Sequence, residues 1–317
     1  MGVYLGLDTS NYTTSAALYD ETTGQVLMKK KLLPVKEKEC GLRQSDAVFH
    51  HVKQLGGLIE ELFSEAGRVT LSGIGYSAFP RRVKGSYMPC FLVGDLVSRS
   101  LSASGQVPRY AFSHQEGHIV SALYSAGKLD WLKEPFYAFH VSGGTTEALL
   151  VRSEGAELAV TLLGKTLDLN AGQAIDRVGV MLGCSFPCGK QLEDLALQWE
   201  KPVTGKVSLK GADCCLSGIQ NQCEALFQKG AEKEYIAKYC LSCVEAAVAG
   251  MTQEIYHAYG KKPLLYAGGV MSNSLIRQSL SQKFGGVFAQ PQFSSDNSAG
   301  VAVLASMAAQ GESLQPC

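Results

Sequence analysis

The feature that most constrains this chain is an internal repeat. Shifting the sequence by 132 residues lays residues 3–18 (VYLGLDTSNYTTSAAL) over residues 135–150 (PFYAFHVSGGTTEALL). Each copy reads as strand, tight polar turn, strand, with β-branched and aromatic residues in the flanks and Ser, Gly, Asn and Thr at the tip. One such hairpin is an ordinary turn. Two at domain-sized spacing imply a duplicated α/β chain, each half with its own sheet and a ligand cleft between them. The backbone N–H groups of both tips are then expected to converge on an anion. The repeat also aligns Asp8 with His140, a carboxylate and an imidazole at equivalent places.

A second signal is His114-Gln-Glu-Gly-His118. On a helix this spacing stacks two imidazoles one turn apart, as two ligands of a single metal ion require. The competing reading is a pair of solvated or capping groups at a helix start. Far downstream, Asp296 offers a carboxylate beside a glycine-rich segment. Between them, Asp176 falls in the early turns of a helix. Gly268 and Gly269 end a buried strand, and Asn273 opens the next helix as a nucleotide contact or an N-cap. Strands are expected near 2–7, 14–19, 71–77, 136–141, 147–152 and 264–267. Helices are expected near 46–66, 90–104, 114–126, 169–182, 190–198, 232–258, 273–283 and 297–309. The domains follow as 1–133, with 297–317 returning to it, and 134–296.

Composition narrows the function. The 29 basic residues balance 29 acidic ones, so no global charge draws the chain to nucleic acid. The clusters Lys29-Lys30-Lys31 and Arg81-Arg82 with Lys84 read as solvated loop charge. No apolar run approaches the roughly 18 residues of a membrane span, and the start lacks the pattern of an export signal. A cytoplasmic protein without a membrane role is expected. The 10 cysteines are scattered, so reduced thiols are expected. Cys240 and Cys243, in an alanine-rich helical stretch without a second pair, read as small buried apolar residues.

Taken in order, GLDTS, HQEGH, HVSGGTTE, TLDLNAGQAIDRVG, CLSGIQ, AGGVMSNS and SSDNSAG resemble the tRNA threonylcarbamoyladenosine transferase family, once described as glycoproteases. The resemblance runs from Tyr4 to about Ala305. It implies the actin-like, Hsp70-like ATPase fold: two duplicated α/β lobes around a nucleotide. It implies metal ligation by His114, His118 and Asp296. His140 stands where some members place a tyrosine beside the metal. Nitrogen and oxygen donors of this kind suit one iron or zinc ion better than magnesium. The resemblance carries ATP or acyl-adenylate contacts onto Val141, Ser142, Gly143, Gly144, Asp176, Gly189, Glu193 and Asn273. The implied reaction moves a threonylcarbamoyl group to N6 of adenosine 37 in tRNA. The implied partners are nucleotide, tRNA reached through partner subunits, and a related actin-like-fold protein as dimer partner.

The chain departs from the family where it reads Tyr12-Thr13, in place of an acidic pair, and Phe79-Pro80-Arg81-Arg82, in place of a small Gly-Pro-Gly turn. Losing the acidic pair removes an obvious general base for an amine nucleophile. Asp8 is left as the candidate catalytic carboxylate. The pattern therefore reads as a divergent paralogue. The alternative is a catalytically altered nucleotide-binding protein that serves another acceptor or an assembly. A zinc protease would need a glutamate next to the first histidine, where Gln115 stands. A kinase on the same fold would favour magnesium over histidines.

Overall fold

The computed structural model describes residues 2–10, 12–34, 42–155, 157–293 and 297–311. An antiparallel meander opens the chain: β1 (Val3–Ser10), β2 (Thr13–Asp20) and β3 (Gln25–Leu32). Helix α1 (Gln44–Ala66), β4 (Leu71–Phe79), α2 (Phe91–Gly105), β5 (Arg109–Ser113) and α3 (His114–Ser125) follow. A second meander comprises β6 (Phe136–Val141), β7 (Thr146–Glu154) and β8 (Glu157–Lys165). Next come α4 (Ala171–Leu182), α5 (Gly189–Leu197), the short β9 (Ser208–Lys210) and β10 (Asp213–Cys215), α6 (Ser217–Gln228) and α7 (Lys233–Tyr259). The chain ends through β11 (Leu264–Ala267), α8 (Ser274–Phe284), β12 (Val287–Phe288) and α9 (Ser298–Ala309).

The two five-stranded sheets run β3-β2-β1-β4-β5 and β8-β7-β6-β11-β12, the same topology twice. In each, two parallel strands follow the meander on its far side. The hairpin registers repeat as well. Leu5 faces Leu18 and Asp8 faces Ser15 in the first, and Tyr137 faces Leu150 and His140 faces Glu147 in the second. These are the same pairs displaced by 132. Two compact units result: Met1–Glu134 with Ser153–Ala159 and Gln292–Cys317, and Pro135–Arg152 with Val160–Pro291.

In the first unit, strand alternation sends Leu5, Leu7, Ala16 and Leu18 to one face, where they pack on Leu55, Leu62 and Val93 of α1 and α2. The other face belongs to α9, which lies close because glycines leave room. A Cβ on Gly6 would sit 2.1 Å from the Ser298 carbonyl, and one on Gly75 would sit 2.5 Å from that of Val301. In the second unit, Tyr137, Phe139 and Val141 enter a core with α4, α7 and α8 residues, among them Cys240 and Cys243. Burial pushes both thiols upward, as inert core cysteines require, with a bond to Cys223 acting first on Cys240.

Lys29, Lys30 and Lys31 lie in β3, not in a loop. β3 borders β2 at the sheet edge, where lysines blunt strand-to-strand association. Lys29 pairs with Glu65, and Lys30 donates to the Gln292 carbonyl. Among the described residues, no helix is long and apolar enough to cross a membrane.

Candidate functional site

The histidine segment is built by a direct strand-to-helix join. β5 ends at Ser113 and α3 begins at His114. Ser113 and Glu116 form a capping box, so the helix start is closed without help from either histidine. The His114 and His118 rings then meet edge to face on consecutive turns, with centroids 4.5 Å apart. Glu116, between them, is fully buried. Its carboxylate accepts from the Ser113 and Leu158 amides and from Arg82, which also pairs with Glu157. The basic loop after β4 is thereby pinned to the start of α3, helped by the Gln115 amide donating to the Pro80 carbonyl.

Asp8 lies at the buried end of β1, 1% exposed. One oxygen accepts from the Ser10 amide; the other accepts from Ser77 of β4 and lies 2.9 Å from Nδ1 of His114. Burial alone would raise this carboxyl. The His114 ring and the bonds from His114, Ser10 and Ser77 outweigh it, holding the group well below the usual carboxylate range. At 2.9 Å from an ionised Asp8, Nδ1 of His114 is the donor, and the neutral ring in that tautomer presents the Nε2 lone pair. Asn297 completes the surroundings, with its side-chain amide 2.8 Å from the same Nδ1.

Ser77, Asn297 and the glycines that seat α9 were not legible as site residues. Gly117, inside the histidine segment, would place a Cβ 3.1 Å from the Asn297 carbonyl, and Gly300 would place one 2.1 Å from that of Gly117. Glycine spacing in HQEGH and SSDNSAG was the available signal. Asp296 lies outside the described residues. Among the described residues, no group of three or more His, Cys, Asp or Glu is arranged to hold a metal.

The second unit gathers its candidates along one continuous line of contacts. His140 and Val141 end β6, and residues 142–145 form the hairpin tip. Oγ of Ser142 accepts from the amides of Gly144 and Thr145, so two N–H groups expected to face an anion are turned inward. Gly172 of α4 lies against Gly143, where a Cβ would approach to 2.6 Å. On the same helix, Asp176 accepts from the Cys188 amide just before Gly189 opens α5. Burial raises Asp176, and that bond partly offsets the effect. Glu193 of α5 holds the start of α8 through the amide and hydroxyl of Ser274. Asn273 caps α8, accepting from the Leu275 and Ile276 amides at 3.1 Å. Gly268, with φ 97°, packs against Val141, and Gly269 follows in open space. A cavity of about 430 Å³ beside this line is lined by Asp176, Arg177, Phe186 and Gln220.

Residues 32–303 match the TsaD family, described as tRNA N6-adenosine threonylcarbamoyltransferase. The chain belongs to this family. Like the duplicated sheets, the solved structures place this TsaD-family chain in the actin-like ATPase fold. A full-length HypF in a phosphate- and nucleotide-bound form is 14% identical with TM-score 0.62, over 98% of this chain and 55% of that one. HypF of T. kodakarensis gives 14% and 0.62, over 99% and 48%. Component A of the Acidaminococcus fermentans (R)-2-hydroxyglutaryl-CoA dehydratase gives 15% and 0.56, over 98% and 100%. The chain thus spans about half the length of the HypF structures it matches.

Proposed function

We propose that this TsaD-family transferase binds a nucleotide or acyl-adenylate and moves its carbamoyl-type group to an amine acceptor, with one bound iron or zinc ion. The observation that carries the reading is the buried Asp8 bonded to His114, with His118 one turn further on. A carboxylate that fixes the far nitrogen of an imidazole is the usual support of a metal-binding histidine. His114 and His118 would hold the ion together with Asp296; His140 enters only through the family resemblance. When bound, the ion would polarise a phosphate or carbonyl oxygen.

In this reading Asp8 is a positioning residue, not the base. Its oxygens are engaged and it keeps His114 in one tautomer. Phosphate binding falls to the tip at 142–144, through the Gly143 amide that Ser142 does not engage, with Asp176 and Glu193 serving the nucleoside part. Support comes from the fold shared with the nucleotide-bound HypF. The acceptor proposed by family membership is adenosine in tRNA. Tyr12, 43% exposed and standing where the family resemblance implies an acidic residue, favours a second reading in which another amine is modified.

Metal analysis of purified wild type and His114→Ala tests the site. About one equivalent in the first and none in the second is expected; equal contents would refute the ligation. Incubation with threonine, bicarbonate, ATP, an adenylate-forming enzyme and tRNA tests the acceptor. Modified adenosine supports tRNA, and its absence from protein that binds metal and ATP favours the second reading.

A further inference from the structure

The second unit holds a cavity of about 640 Å³ that contains none of the site residues above. It lies between α7, α8 and the segment before β9. Its wall is built tightly: a Cβ on Gly205 would meet the backbone of Ser242 at 2.3 Å. Leu241 and Ile276, both almost fully buried, contribute apolar surface to the lining. The polar lining is uneven in charge. Glu245 is already satisfied, since one of its oxygens accepts from Ser279 at 3.0 Å and from Lys283 at 2.8 Å. Lys238, on the same helix and half-buried, has no acidic partner among the described residues. Ser242, one turn further along α7, adds a hydroxyl to the lining.

A pocket that joins a cation without an acidic partner to apolar surface suits an amphiphilic anion. We propose that this cavity is a second ligand site, which takes a small molecule with one carboxylate or phosphate on an apolar body. Lys238 and Ser242 grip the anionic head, and Leu241 and Ile276 pack against the body. The Glu245–Lys283 pair closes the pocket to a second negative charge.

Phenylacetate and phenylphosphate carry the two heads on one body, and benzyl alcohol carries neither. Each is titrated into the full-length protein and followed by protein NMR. At least one anion is expected to shift resonances of α7 and α8 and to bind about tenfold tighter than the alcohol. Which anion binds tighter distinguishes a carboxylate from a phosphate site. Lys238→Gln is expected to abolish that advantage while leaving ATP binding and the thermal midpoint unchanged. Anions that bind no better than the alcohol, or equally well to Lys238→Gln, overturn the proposal. ATP binding in the same samples reports separately on the proposed function.

Discussion

At the scale of single residues, two buried groups set measurable behaviour. Asp8→Asn keeps size and most packing but removes the charge that fixes His114. Metal affinity is therefore expected to fall about 10–100-fold without loss of fold, read by competition with a chelator. His51 of α1 is fully buried, with Nδ1 2.8 Å from the Thr14 hydroxyl. Burial lowers it to about 4; Asp8 opposes the shift and His50 adds to it. The unfolded chain, titrating near 6.5, takes up a proton that the folded state refuses. Stability is therefore intact above about 6.5 and declines as pH falls towards 4, by up to about 3 kcal/mol from this residue. Urea unfolding at pH 7 and pH 5 should show a smaller loss for His51→Gln than for wild type. The histidine pair was readable from spacing alone because helical period and imidazole chemistry coincide. His51 was not, since adjacent histidines at 50 and 51 point to different faces of a helix and carry no such pattern.

At the scale of elements, the hairpins and long helices stood out because their periodicities persist over many residues. β3 did not, because three consecutive lysines hide a strand whose pairing is made by backbone. The expected strands also omitted β5, β8 and the short β9, β10 and β12, and the expected helices omitted α6, where glycine and polar residues dilute the pattern. The anion-binding tip was read with its amides outward, whereas Ser142 turns two of them in. The contact of α3 with α9 depends on small residues, and Gly300 also donates its amide to Ser121. Gly300→Ala is expected to cost about 1–3 kcal/mol through overpacking, measured by denaturant midpoint. An unchanged midpoint would show that α9 is free to shift.

At the scale of the whole molecule, duplication was legible from one aligned segment, because register and topology follow once each hairpin is fixed. The sequence suggests units of 1–133 with 297–317 and of 134–296; the grouping of 153–159 with the first unit has no sequence signal, since a β-turn gives no hint of which neighbour it meets. Each unit carries one tryptophan, Trp131 in the first and Trp199 in the second. In single-tryptophan variants, Leu62→Ala should lower the unfolding midpoint reported by Trp131 by an amount matching about 2–5 kcal/mol, and move that of Trp199 less. Equal displacement of both would mean that the units melt together.

Because α9 covers the glycine-bearing face of the opening sheet, a growing chain must be extended past Ser298 before that face is shielded. Until residue 298 leaves the ribosome, β1 and β4 present bare backbone and apolar surface to the cell. Nascent chains stalled earlier should recruit holdase chaperones, and release should follow emergence of α9.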